Sequence, residues 1–276
     1  MKEHSMSRNV IIYLLLILYF CFLLTPIVWL VVSSFKKPSL VLSSKLIPGI
    51  GDFSLENYVE TFQMQRFTQY FLNSLKIALG NTGLTLLVTI LAGYTLSRFR
   101  IRGGRQFLLA VLASWMFPYV LILISFYYIM LGLNLTDTIL GIILTHSVLS
   151  VSFCVWMLKA YFDGIPKELD DAALIDGSSR IGTLFKIILP ISSPGIAVAG
   201  FFAFMVSWGD FLFASILSRS PATRTLPLML QAFRSTLELR WGVIVTATVI
   251  CIIPTIALFA FVQRWLVEGL TAGAIK

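Results

Sequence analysis

Charge is what this sequence has least of. Its 276 residues include 13 acidic and 21 basic side chains, 12% charged against 58% hydrophobic, about half the charged fraction of an ordinary soluble domain. A water-facing fold of this length could not cover itself with so few charges, so a soluble globular class is excluded. Cysteine and histidine are also scarce, at three and two residues. Cys21, Cys154 and Cys251 lie in separate apolar stretches with no C-x-x-C pair and no histidine cluster, which argues against a metal centre or disulfide framework. They read as small apolar packing residues, and so does His146. No G-x-x-x-x-G-K-[ST] loop is present to cradle ATP, and Gly103-Gly104 sits between arginines with no strand before it. No G-x-S-x-G, H-E-x-x-H or paired-carboxylate site stands out either. No catalytic residue, cofactor or metal is expected on this chain.

What is present is long apolar runs. Residues 10–35, 77–97, 106–136, 138–158, 187–209 and 241–262 contain no Asp, Glu, Lys or Arg. Each can cross a hydrocarbon core of about 30 Å as a helix of about 20 residues. The expected class is all-α, a polytopic membrane protein with about six transmembrane helices. We read it as one domain over 1–276, with a first span and outer connection at 1–70 and a core bundle at 71–276. The first span lacks a small-residue cleavage site and reads as retained. Arg98, Arg100, Arg102 and Arg105 crowd one short loop, which places that loop, and with it both termini, on the cytoplasmic side. The net charge of +8 then fits anionic headgroups flanking the spans rather than nucleic acid.

Between the first two spans, Lys36, Lys37 and Pro38 open a loop punctuated by Pro48, Gly49 and Gly51. Leu55, Tyr58, Val59 and Phe62 then recur at helical spacing after Ser54, a candidate N-cap, which predicts a short amphipathic helix packed on the bundle. The segment 163–192 is richer. Pro166 opens a helix whose first turn holds Glu168, Asp170 and Asp171, where the macrodipole favours anions. Gly177 supplies a left-handed stop. Ser178 or Ser179 caps a second helix with a stripe of Ile181, Leu184, Phe185, Ile188 and Leu189, ending at Pro190, and Pro194 starts the next span. On the first helix, Leu169, Ala172, Ala173 and Asp176 share one face, small enough for a partner to approach closely, with Glu168 and Asp171 at its rim. A solvated loop helix is the equal alternative on periodicity alone.

The run Pro166-Lys-Glu-Leu-Asp-Asp-Ala-Ala-Leu-Ile-Asp-Gly177, continuing through Phe185, Leu189-Pro190 and Pro194-Gly195, closely resembles the cytoplasmic EAA loop of ABC-importer permeases, the family of the maltose transporter subunits. Phe71-Leu-Asn-Ser-Leu75, Ser207-Trp-Gly-Asp-Phe211 and the tail Gln263–Lys276 resemble other stretches of that family, the tail its carbohydrate branch. The motif's glutamate is here the shorter Asp171. The resemblance implies that Glu168, Leu169, Asp171, Ala172, Ala173, Asp176 and Gly177 form a coupling helix docked on an ATPase. It also implies a second homologous permease, two ATP-binding cassette subunits carrying ATP and magnesium, an extracytoplasmic solute-binding protein and a sugar substrate. The location it implies is a prokaryotic inner membrane.

Polar groups inside spans usually face the bundle or a pathway. Asn81, Ser125, Ser150, Trp208 and Asp210 are the candidate substrate path, followed by Thr85, Asn134 and Ser207. Asp210 could touch sugar hydroxyls or cap a helix. Trp115, Phe126, Tyr127 and Trp156 could stack on a sugar or anchor at the interface. The alternatives are the same machine carrying glycerol phosphate, a peptide or an osmolyte; an ion-coupled secondary transporter, which predicts intramembrane charges; and a membrane-embedded enzyme.

Overall fold

The computed structural model describes residues 2–45, 47–64, 66–234 and 240–272, with backbone alone at 2–8, 234 and 266–272. Among the described residues the secondary structure is helical apart from one isolated bridge between Lys36 and Phe53. Four helices are each long and apolar enough to cross a membrane, and two bent pairs bring the number to six if each pair is one span. The chain has two compact units, residues 1–67 with 230–253, and residues 68–229 with 254–276.

The first unit starts with α1, Lys2–Ser34, whose apolar surface from Val10 to Leu24 is exposed. The chain then folds back on itself: Lys37 N–H donates to Asp52 O and Ser54 N–H to Phe35 O, and the buried Lys36 ammonium donates to Lys45 O at 2.7 Å. Helix α2, Glu56–Gln63, follows. Ser54 does not occupy the N-cap position, but its Oγ accepts the Glu56 N–H at 3.0 Å. The orientation of α2 differs from expectation. It buries Asn57 and Thr61 and leaves Leu55, Val59 and Phe62 exposed. The cause is polar: Asn57 Nδ2 donates to Ser34 O at 3.2 Å and Lys36 O at 2.6 Å, satisfying carbonyls that the end of α1 leaves without helical partners. Gly242 belongs to the same knot, since a Cβ there would lie 2.0 Å from Asn57 Oδ1, and Arg240 pairs with Glu60 at 2.6 Å.

In the second unit, α3 (Phe67–Arg98), α4 (Gly104–Trp115), α5 (Tyr119–Gly132) and α6 (Ile139–Asp163) come in order. The third expected span is not one rod: α4 and α5 meet at 102°. Pro118 lacks an N–H and forces Phe117 away from the helical region, so the helix stops and restarts. After α6 come α7 (Glu168–Ile175), α8 (Arg180–Thr183), a π-helical turn at Leu184–Ile188, α9 (Leu189–Ile191) and α10 (Ser193–Trp208), the last bent 83° from its predecessors. Pro190 does not end the helix but lies inside α9. It cannot donate to the Lys186 carbonyl, and Leu189 N–H reaches back to Leu184 O instead, closing the wider π turn. The stripe is accordingly split, with Leu184 and Ile188 buried while Ile181 is 71% and Phe185 55% exposed. Next are α11 (Leu212–Leu217), α12 (Leu226–Arg234) and α13 (Trp241–Ala272), of which residues 230–234 and 241–253 belong to the first unit. The tail motif continues α13 as far as Ala272, and residues 273–276 lie outside the described residues.

Helix α6 is the axis of this unit, buried along much of its length from Gly141 to Phe162 and packed on α10, α4 and α11. Close approach is bought with small residues: a Cβ on Gly195 of α10 would sit 2.7 Å from the Tyr161 ring, and one on Gly93 of α3 would sit 3.2 Å from the Lys159 backbone nitrogen. Tyr94, Leu158, Phe162, Ile165, Leu184, Ile188 and Ala199 form the apolar core beneath α7 and α8.

Candidate functional site

Helix α7 is bounded as its local sequence dictates. Gly177 has φ of 84°, and the N–H groups of Gly177 and Ser178 donate to Leu174 O and Ala173 O, a Schellman stop. Of the two candidate caps, Ser179 begins α8, accepting the Gly182 N–H at 3.1 Å. Pro166 stands two residues ahead of the first helical residue rather than inside the first turn.

The faces of α7 divide unevenly. Glu168, Leu169, Asp171, Ala172 and Asp176 are exposed, joined by Ile175 at 86%. Ala173, expected on the docking face, is instead buried at 3% together with Asp170 at 8%, because these two positions face the core under the helix. Asp170 is the residue that periodicity missed. Tyr94 Oη donates to its Oδ1 at 2.7 Å, and Arg98 Nε donates to its Oδ2 at 2.9 Å. Arg98 Nη1 also donates to Phe162 O at 2.9 Å, so one guanidinium joins the ends of α3 and α6 to α7. No local pattern separates Asp170 from Asp171; the signal lies in Arg98, the first arginine of the basic loop, 72 residues away.

The path candidates are placed as follows. Asn81 is fully buried; its amide donates to Ser150 Oγ at 3.1 Å and Ala203 O at 2.7 Å, and its carbonyl accepts from Thr85 at 3.2 Å and Ser147 at 3.0 Å. Asn81, Ser150 and Thr85 therefore form a knot tying α3, α6 and α10 together, with both donors and both lone pairs of Asn81 used. Trp208 is buried, stacked on Phe204 at 5.4 Å and edge-on to Phe71. Ser125 is exposed on α5. Asn134, at φ 55°, is the left-handed residue that stops α5. Asp210 accepts from Ala214 N–H at 2.9 Å and Phe213 N–H at 3.4 Å, capping the first turn of α11. His146 is fully buried, with its Nδ1 2.7 Å from Ser207 Oγ and its Nε2 3.1 Å from Asp210 Oδ2. The second approach falls outside hydrogen-bonding geometry. Trp115 and Trp156 pack around Phe153, Phe126 meets Phe213 edge-on, and Tyr127 lies under the Arg219 guanidinium.

At the other end of α6, Asp137 (φ 56°) accepts from the N–H groups of Arg219 and Ser220, each at 2.9 Å, and from Thr223 Oγ1. Partial burial alone would raise its pKa, but the Thr223 hydroxyl and the two backbone N–H donors outweigh it and hold the carboxyl well below the usual range. The same loop is held from α3, where Asn73 Nδ2 donates to Pro221 O and Arg224 O and Ser74 Oγ accepts the Leu226 N–H. Among the described residues no group of three or more His, Cys, Asp or Glu is placed to hold a metal.

The long apolar helices and the two bent pairs define a polytopic membrane protein, with the short acidic helix α7 tied to Arg98 at the end of α3. The family described as binding-protein-dependent transport system inner membrane component matches residues 85–271. The chain is 36% identical over 253 residues to the sulfoquinovosyl glycerol transport system permease protein SmoH of Agrobacterium fabrum, covering 92% of this chain and 89% of that one. It is 32% identical over 280 residues to the trehalose/maltose transport system permease protein MalG of Thermococcus litoralis, covering 100% and 99%. A crystal structure of a bacterial ABC transporter involved in import of the acidic polysaccharide alginate shares the fold, with TM-score 0.83, 22% identity and coverage of 94% and 96%. The chain belongs to the family of binding-protein-dependent inner membrane permeases, which sets aside the secondary-transporter and membrane-enzyme readings.

Proposed function

We propose that this chain is the membrane-spanning permease subunit of an ATP-driven sugar importer, contributing half of the translocation path alongside a second homologous permease. ATP and magnesium are bound by two separate ATPase subunits, and an extracytoplasmic binding protein delivers the solute. Both termini, α7 and the Arg98–Arg105 loop face the cytoplasm. The observation that carries the reading is the exposed face of α7, where Leu169, Ala172 and Ile175 offer apolar contact between the carboxylates of Glu168, Asp171 and Asp176. A short helix with a small apolar centre and acidic rim suits a groove lined with basic residues. The sugar assignment is supported by the transport systems of the relatives. The subunit needs no catalytic residue, only a bundle with two packings of similar energy.

The test is reconstitution of the whole importer in vesicles, with the binding protein offered maltose, trehalose, sulfoquinovosyl glycerol, glycerol phosphate, a peptide and an osmolyte. A saccharide should stimulate ATP hydrolysis, and Asp171→Lys with Ala172→Arg should release the ATPase subunits from a folded membrane domain. Stimulation by the peptide or osmolyte alone would overturn the sugar assignment, and unchanged ATPase retention in the double variant would overturn the docking assignment.

A further inference from the structure

We propose that Tyr94, Arg98 and Asp170 form a clasp that delivers displacement of α7 to α3, making them positioning residues for coupling. The inference rests on the reading of α7 as the ATPase-docking helix. Chain connectivity suggests a different route. From α7 the backbone runs through the left-handed Gly177 into the four-residue α8, a π turn and the 83° bend before α10, and helix interruptions of this kind are where a rod yields. The link to α3 has no such joint. Asp170 is the one carboxylate of α7 turned inward, and it meets two side chains, each through a separate oxygen, at 2.7 and 2.9 Å. Both donors lie one turn apart at the end of an unbroken 32-residue helix.

The guanidinium also fixes direction. Arg98 Nε faces Asp170 while Nη1 is held by Phe162 O. Its planar fork cannot follow one partner without moving against the other. The clasp is roofed by the edge-on contact of Tyr94 with Phe162 at 6.2 Å, and the Arg98 side chain is 4% exposed, which shields the ion pair from salt. A movement imposed on α7 is thus passed to the base of α3, which holds Asn81 of the central knot and, near its far end, Asn73 and Ser74 under the 218–226 loop.

The experiment compares the assembled importer in vesicles with versions carrying Tyr94→Phe, Arg98→Gln, Asp170→Asn and the exchange Arg98→Asp with Asp170→Arg. Three quantities are read: ATPase subunits retained, basal hydrolysis, and stimulation by binding protein loaded with whichever of maltose, trehalose or sulfoquinovosyl glycerol stimulates the unaltered importer. Retention and basal hydrolysis should hold, because the outer face of α7 is untouched. Stimulation should fall about tenfold in Arg98→Gln and Asp170→Asn, within the range of ordinary coupling free energies, and less in Tyr94→Phe, with partial recovery in the exchange. Unchanged stimulation in the single variants, with Asp171→Lys still releasing the ATPase, would refute the clasp and leave docking intact; an inert Asp171→Lys would refute docking itself. If Asp170→Asn fails to assemble, Tyr94→Phe decides: full stimulation there makes the cluster a stability contact only.

Discussion

Replacing Asn81 by alanine tests the interior most directly. The amide makes four hydrogen bonds to Ser150, Ala203, Thr85 and Ser147 in a site with no solvent exposure. Three of these reach other helices, and polar contacts between membrane helices are worth about 0.6 kcal/mol on average, so the three amount to about 1.8 kcal/mol; the fourth, from Thr85, lies within α3. Two of the partners have a fallback, since Ser147 also donates to Ile143 O and Ser150 to His146 O, which trims the loss. The small cavity left by the amide adds some of it back. The net expectation is about 2 kcal/mol, read as earlier thermal unfolding of the purified complex, with Asn81→Asp worse because it places a carboxylate in a site with no solvent exposure. Transport by the surviving fraction should keep its KM. Unchanged stability together with a shifted KM would refute the knot and restore Asn81 to the substrate path.

Two further outcomes follow from the same geometry. Gly195→Ala should destabilise the α6–α10 contact by about 1–3 kcal/mol through overpacking, and Tyr161→Leu in the same chain should restore part of the lost thermal stability by vacating the ring that a Cβ would meet at 2.7 Å. Asp137→Ala should loosen the 218–226 loop, seen as faster proteolytic nicking there. Because the folded carboxyl titrates below its unfolded value of about 4, the tie is complete above that value, persists through mild acid and is lost only as the pH falls through the folded pKa; release of the loop near pH 6 would contradict it.

What the sequence discloses here is what is local. Runs without charge mark the spans, and Gly177 and Ser179 punctuate α7 and α8 through a left-handed backbone and a local side-chain cap, neither needing a distant partner. Pro118 was equally visible within an apolar run, yet apolarity over 106–136 reads as one helix unless the proline is given priority. The faces were harder. Helical periodicity presents Leu55, Val59 and Phe62 as the buried side of α2, whereas the carbonyls at the end of α1 claim Asn57 and turn the helix over. Asp170 and Asp171 are alike in every local respect, and an arginine two elements away separates them. His146 looked solitary because Ser207 and Asp210 stand more than sixty residues further on. Polar side chains in an apolar bundle are paired by topology, which spacing does not encode.

The 102° break between α4 and α5 constrains what can surround it in a bilayer. Met116 and Phe117, the two residues ahead of Pro118, are exposed within a stretch that carries no charge. Non-helical backbone at membrane depth is tolerated against protein or a water-filled cavity, not against lipid tails. The turn at 116–118 is therefore a surface for protein or water rather than for lipid tails.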